Sequence, residues 1–197
     1  DSVGKCIKML KVPVVMVRTH GAFLRDPLYN GLQTRKTKVT AEVRYLLSPD
    51  EIKTMSPDEL NPVLREAFSY DHFREQKEQN IRVDEPFRAD HLNRVLYKCP
   101  HCGTEGKTEG KGERLTCRAC GKEYVLTEYG EMRAVEGETE FPHIPDWYRW
   151  ERECVRDEIE GGEYSLTLPV DIYMMVDTNA VYKVGEGTLT HDTDGFT

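Results

Sequence analysis

The sequence predicts an α+β chain, and three observations predict it. Ser48-Pro49-Asp50-Glu51 and Ser56-Pro57-Asp58-Glu59 each place a capping Ser, a Pro at the first helical position and a Glu three residues after the Ser. Two helices should begin there. The pairs Cys99/Cys102 and Cys117/Cys120 are separated by fourteen residues, a spacing that folds two tight knuckles of a β-ribbon around one site. From Leu166 onward, apolar runs broken by turn residues read as antiparallel strands.

Taken in order, Val3–Leu10 reads as a helix, with Val3, Ile7 and Leu10 on one side and Lys5, Lys8 and Lys11 mostly on the other. Val12–Val17 is a continuous apolar run, the pattern of a buried parallel strand, with Pro13 near its start where no ladder donor is needed. Arg18–Thr34 should be a loop, with Asn30-Gly31 as a turn. Thr37–Leu47 alternates as a half-exposed strand, Val39, Ala41, Val43 and Tyr45 facing one way. In the helix from Pro57, Leu60, Val63, Leu64 and Phe68 should face a core. The charged Asp71–Gln79 reads as an exposed helix, and Arg88–Tyr97 as a helix with Leu92, Val95 and Leu96 on its apolar side. Pro142 and Pro145 mark a linker, and Asp146–Glu160 an amphipathic helix ending at Gly161-Gly162. Strands over Leu166–Val176, Ala180–Val184 and Gly187–Thr190 should be joined by turns at Asp177–Asn179 and Gly185-Glu186.

Cys99, Cys102, Cys117 and Cys120 carry the chemistry. Gly103 and Gly121 each follow the second cysteine of a pair, where a knuckle needs positive φ. Thr104–Thr116 is too polar to build a core, so a bound ion should organise it. The alternatives are two disulfides or four unrelated thiols. A structural zinc ion is the reading preferred here, because a reducing compartment disfavours disulfides and no secretory signal precedes the motif. Four thiolates close a zinc site and leave no position for water, which excludes catalytic zinc chemistry there. His101, inside the first knuckle, should face solvent rather than replace a cysteine.

The net charge of −8 argues against general nucleic-acid binding. Charge is uneven: residues 1–44 hold nine Lys/Arg against Asp1, Asp26 and Glu42, which leaves the rest of the chain fourteen negative. A basic N-terminal segment fits a membrane surface or anionic phospholipid as partner, or else a solvated face. The expected location is the cytoplasm, at the inner face of the membrane. With no initiator Met and a strand pattern running to the end, a piece of a longer protein is expected.

Residues 1–70 resemble the C-terminal part of a lysophospholipid acyltransferase domain of the 1-acylglycerol-3-phosphate acyltransferase type. Val12-Pro13-Val14-Val15-Met16-Val17 stands for the family's V-P-V-V-P-V-like block, with Met16 at its second proline, and Gly21 for the glycine that follows. A strand over Val39–Leu47 and helices over Pro49–Thr54 and Pro57–Phe68 match the end of that domain. With the zinc ribbon included, the arrangement is similar to bacterial acyltransferase-like proteins over about the first 120 residues. The resemblance implies a truncated α/β acyltransferase domain at 1–70, a helical connector at 71–97, the ribbon at 98–130 and a helix-plus-strand module at 142–197. It implies acyl transfer to a lysophosphatidic-acid-like acceptor in phospholipid biosynthesis. The family's H-x-x-x-x-D and E-G-T-R blocks are absent, so no catalytic residue is assigned and the chain by itself should be inactive. His20 and Asp26 are the nearest mimic, with five residues between them and on the wrong side of the apolar block.

A non-enzymatic ribbon that binds protein or nucleic acid is the competing reading. Lys107, Lys111, Arg114, Arg118 and Lys122 favour it, and Glu105, Glu109, Glu113 and Glu123 offset them. Trp147, Tyr148 and Trp150 fit packing of a helix onto the following sheet better than a membrane interface. His191–Asp194 reads as a polar hairpin turn rather than a metal site, and Cys6 and Cys154 as inert thiols.

Overall fold

A computed structural model describes residues 3–197, which fall into two units with the boundary after Tyr148. It is α+β, with helices and wholly antiparallel sheets.

Helix α1 (Val3–Leu10) opens the first unit. Strand β1 (Val14–His20) pairs antiparallel with β2 (Thr40–Leu47), placing Val15 opposite Tyr45 and Val17 opposite Val43. The expected buried parallel strand is therefore antiparallel, and it continues through His20 instead of ending in a loop. The physical reason lies in the connection. A parallel return needs a crossover, usually a long helix; here the connection holds only the single turn α2 (Ala22–Arg25) and a 3₁₀ turn at Leu28–Asn30. Gly21 at φ 77° lets the chain turn so closely that a Cβ there would stand 2.3 Å from the Lys38 carbonyl oxygen. Val15, Val17, Val43 and Tyr45 line one face of this sheet and are exposed.

Both capping boxes form. In α3 (Pro49–Thr54) the Glu51 amide donates to Ser48 Oγ at 3.2 Å and the Ser48 amide to the Glu51 carboxylate at 2.7 Å. In α4 (Pro57–Phe68) Ser56 and Glu59 repeat the arrangement at 3.3 and 2.7 Å. Leu47, Ile52 and Leu60 form a core completed by Ile7, Val14 and Val63. Phe68, expected in that core, is exposed. Helix α5 (His72–Glu78) is less exposed than its charge implied. Gln76 is buried with its Nε2 donating to the Glu128 carbonyl at 3.1 Å, and Glu75 is buried with Oε1 2.7 Å from His20 Nδ1 while its Oε2 is without a hydrogen-bond partner.

Residues 88–97 do not form the expected α-helix. His91 takes positive φ, and the His91 and Ala89 amides donate to the Gly110 and Gly112 carbonyls at 2.9 and 2.8 Å. Those bonds to a strand replace helical ones, leaving a single 3₁₀ turn at Leu92–Arg94. Leu92 and Leu96 are fully buried nonetheless. Strands β3 (Thr108–Lys111), β4 (Arg114–Cys117), β5 (Glu123–Leu126) and β6 (Met132–Ala134) follow as one antiparallel sheet in sequence order.

The stretch around Pro142 is part of this body rather than a linker. The Met132 amide donates to the Pro142 carbonyl at 2.8 Å, and Ile144 and Trp147 are buried. Trp147 meets Tyr124 of β5 edge to face at 4.9 Å between ring centres. It thus packs on the preceding sheet, and the unit boundary falls inside helix α6 (Ile144–Glu160).

In the second unit, Gly162 at φ 72° follows α6, and β7 (Ser165–Val176) pairs with β8 (Ala180–Asp192) around the turn at 177–179. The turn expected at Gly185-Glu186 is absent. Gly185 and Glu186 stay in the ladder opposite Ile172 and Asp171, beside a bulge. A short β9 (Gly195–Phe196) closes the sheet.

Candidate metal centre

The two cysteine pairs sit on matching backbone turns. The Cys99 amide donates to the Thr104 carbonyl at 3.0 Å, and the Gly103 amide to the Cys99 carbonyl at 2.8 Å. In the second knuckle the Cys117 amide donates to Lys122 and the Gly121 amide to Cys117, both at 2.9 Å. Gly103 and Gly121 have φ of 71° and 78°, as the knuckles require. Repetition of the turn in two places points two pairs of Sγ atoms at one spot.

All four Sγ atoms lie within 4.8 Å of one another. Cys99 Sγ is 3.8 Å from Cys120 Sγ, and Cys102 Sγ is 3.8 Å from Cys117 Sγ. Four sulfurs about 2.3 Å from a central ion stand about 3.8 Å apart at the corners of a tetrahedron. A disulfide would need about 2 Å. The thiols are free, and their geometry is that of a four-sulfur metal site.

Cys99 and Cys117 are buried, and Cys102 and Cys120 exposed. Burial pushes the Cys99 and Cys120 thiols up. Hydrogen bonding from Thr104, whose hydroxyl is 3.4 Å away, draws the Cys102 thiol down to about 6. Cys102 is therefore a ready thiolate near neutral pH, and a cation would draw the others into the same state. Around the site, Trp147 Nε1 donates to the Lys98 carbonyl at 3.0 Å, next to Cys99. The Tyr124 hydroxyl donates to Glu140 at 2.7 Å, and burial pushes the Tyr124 phenol up. His101 is outside the cluster, largely exposed, with Nδ1 3.3 Å from Glu140. His191 stacks on Phe196 at 4.0 Å between ring centres.

His20 is the end residue of β1, and its Nδ1 lies 2.7 Å from Glu75 Oε1 and 2.9 Å from the Tyr70 hydroxyl. Its carboxylate partner is thus Glu75 of α5. Sequence reasoning missed this pairing because 55 residues separate the two and no motif marks either.

The basic N-terminal segment is partly used internally. Lys8 Nζ donates to the Ile52 and Lys53 carbonyls at 2.8 Å each, at the C-terminal end of α3. Arg18 donates to the Ala67 carbonyl, and Arg35 is buried. Lys11, Arg25, Lys36, Lys38 and Arg44 are exposed. On the ribbon, Arg114 and Arg118 pair with Glu123 and Glu109, which leaves little net positive field for a polyanion. Among the described residues no helix is long and apolar enough to cross a membrane. No protein-family model, curated protein or solved structure matches the chain.

Proposed function

We propose that the four thiolates hold one structural zinc ion, and that the chain is the C-terminal region of a bacterial phospholipid-biosynthesis acyltransferase. The zinc reading is carried by the Sγ arrangement: four sulfurs within 4.8 Å of one another, two pairs of them 3.8 Å apart, suit Zn²⁺ in both ligand softness and size. Zinc there would neutralise thiolate charge and tie two knuckles together. Water has no coordination position in such a closed site, so the role is structural.

The acyltransferase reading is carried by the Val12–Val17 block with Gly21. Its strand, the two capped helices behind it and the exposed apolar face of Val15, Val17, Val43 and Tyr45 support the reading, since such a face suits a sheet that more of an α/β layer would cover. Exposed Lys11, Arg25, Lys36, Lys38 and Arg44 would supply attraction to anionic headgroups at the inner membrane face. The transferred acyl group would go to a lysophosphatidic-acid-like acceptor. H-x-x-x-x-D and E-G-T-R are absent from this sequence, so the family's general base has no counterpart in it.

The test is an acyl-transfer assay with an acyl thioester donor and lysophosphatidic acid, run on this chain and on the longest protein that contains it. Activity in the longer protein and none in the chain is the expected result. Inactivity of both would overturn the acyltransferase reading and leave the zinc reading standing.

A further inference from the structure

We propose that metal binding at the four-thiol centre is coupled to the position of residues 27–37, through the segment 85–96 that both grip. The proposal rests on the zinc reading and adds a consequence to it.

The segment 85–96 has little regular structure of its own, so its backbone partners decide where it lies. On the metal side it follows β3 and the turn after it. Gly112 and Gly110 accept from the Ala89 and His91 amides, as described above. The Gly112 amide donates to Asp90 Oδ1 at 2.5 Å, the Gly110 amide to Asn93 Oδ1 at 3.0 Å, and the Thr108 hydroxyl to the Leu96 carbonyl at 2.8 Å. The approach is so close that a Cβ on Gly110 would stand 2.4 Å from the Ala89 carbonyl oxygen. Strand β3 is in turn paired with β4, which ends on the ligand Cys117 opposite Thr108.

The opposite side of the segment is held by side chains from 27–37. The Tyr29 hydroxyl donates to the Arg88 carbonyl at 3.0 Å, and Arg35 Nη2 to the same carbonyl at 2.9 Å. Asn30 Nδ2 donates to the Phe87 and Asp90 carbonyls at 2.9 and 3.0 Å. The Lys36 amide donates to Glu85 Oε1 at 2.5 Å. Arg35 is buried and also donates to Asn30 Oδ1 and the Tyr29 hydroxyl, each at 2.9 Å, so one guanidinium ties the three side chains into a unit. Arg88 and Asp90 are gripped from both sides. The Arg88 side chain donates to the Leu126 carbonyl at 2.6 Å and to Glu113 at 2.8 Å while its carbonyl serves Tyr29 and Arg35.

The hydrogen bonds within 27–37 are short-range turns, and few tie it to the β1–β2 ladder. Apart from the Arg35 amide, which donates to the Arg25 carbonyl at 2.6 Å, its bonds to the rest of the chain go to segment 85–96, mainly to carbonyls of 87–90. Those carbonyls depend on β3, and β3 on a ribbon that small four-thiolate modules keep folded only with metal bound. Stripping the ion should release all three layers in sequence. The link is reciprocal: whatever the metal does for the loop, the loop does for metal affinity.

Hydrogen–deuterium exchange on the whole chain, zinc-loaded and chelator-stripped, reads the first direction. On stripping, exchange in 27–37 should accelerate at least tenfold together with 99–120, while 49–68 changes less than twofold. Competition titration with a chromogenic zinc chelator reads the other. Arg35→Met should weaken zinc about tenfold. Tyr29→Phe, which removes one hydroxyl and leaves the packing intact, should weaken it severalfold, so the reading survives if Arg35→Met fails to fold. Unchanged exchange in 27–37 while 99–120 opens, or wild-type zinc affinity in Tyr29→Phe, overturns the coupling alone. A chain that takes up no zinc overturns the metal reading and the coupling with it.

Discussion

Strand β4 of the ribbon and strand β8 of the long hairpin are both paired along their length, yet Leu115 in β4 is buried and Leu189 in β8 is not. The β7–β8 ladder is three times as long. Alternation puts Leu166, Leu168, Ile172 and Met174 on one face with Leu189 and Tyr182 across from them, and all six are exposed. The ribbon strands are only three or four residues each and bury Leu115, Tyr124, Leu126 and Met132. Hydrogen-bonded length is therefore not what makes a core. The ribbon has the segment 85–96 and the first turn of α6 laid over it, and the thiol cluster at its end; the hairpin gains only the two-residue β9, and its apolar face stays exposed. A hairpin without a covering layer is marginal in water.

Substitutions separate the two regions by size of effect. Trp147→Ala removes the largest buried side chain and the bond to the Lys98 carbonyl, and should cost about 3–5 kcal/mol by denaturant titration of the ribbon's fluorescence or amide signals. Ser56→Ala breaks one capping box and should cost about 1 kcal/mol, read in the same titration.

Asp71 offers a pH probe. Burial pushes its carboxyl up, but the Arg74 amide, His143 and the Arg74 charge outweigh burial and hold it below the usual carboxylate range. Its contribution is thus present above the unfolded carboxylate pKa of about 3.9 and lost as pH falls through the lower folded value. Asp71→Asn should be less stable than wild type at pH 7 by under about 1 kcal/mol, since the pair is partly exposed, and the two should converge in acid. Ile172→Thr, on the uncovered hairpin face, should stay within about 0.5 kcal/mol. A loss as large as that of Trp147→Ala would mean that the hairpin face is covered after all.

What could be read from the sequence had local causes. Ser48/Glu51 and Ser56/Glu59 define helix starts within four residues, and Gly103 and Gly121 define the knuckles the same way. Where sequence reasoning failed, distant partners decided. The Leu92–Leu96 stretch has helical apolar spacing, but β3 takes its backbone bonds. Glu75 looks like a solvated charge until His20 and Gln79 meet it at 2.7 and 3.0 Å. The apolar block at Val12–Val17 reads as a buried parallel strand, yet Val15 and Val17 are exposed and only Met16 is buried, because apolar content fixes neither the direction of pairing nor what covers the strand. Gly185-Glu186 has turn composition, and the ladder runs through it next to a bulge.

Zinc K-edge X-ray absorption on the chain purified without chelator reads the ligands of the four-thiol centre. One zinc per chain is expected, with four sulfur neighbours at about 2.3 Å and no nitrogen or oxygen bound to the ion. Nitrogen or oxygen ligands, or a folded ribbon that carries no zinc, would contradict the structural zinc reading.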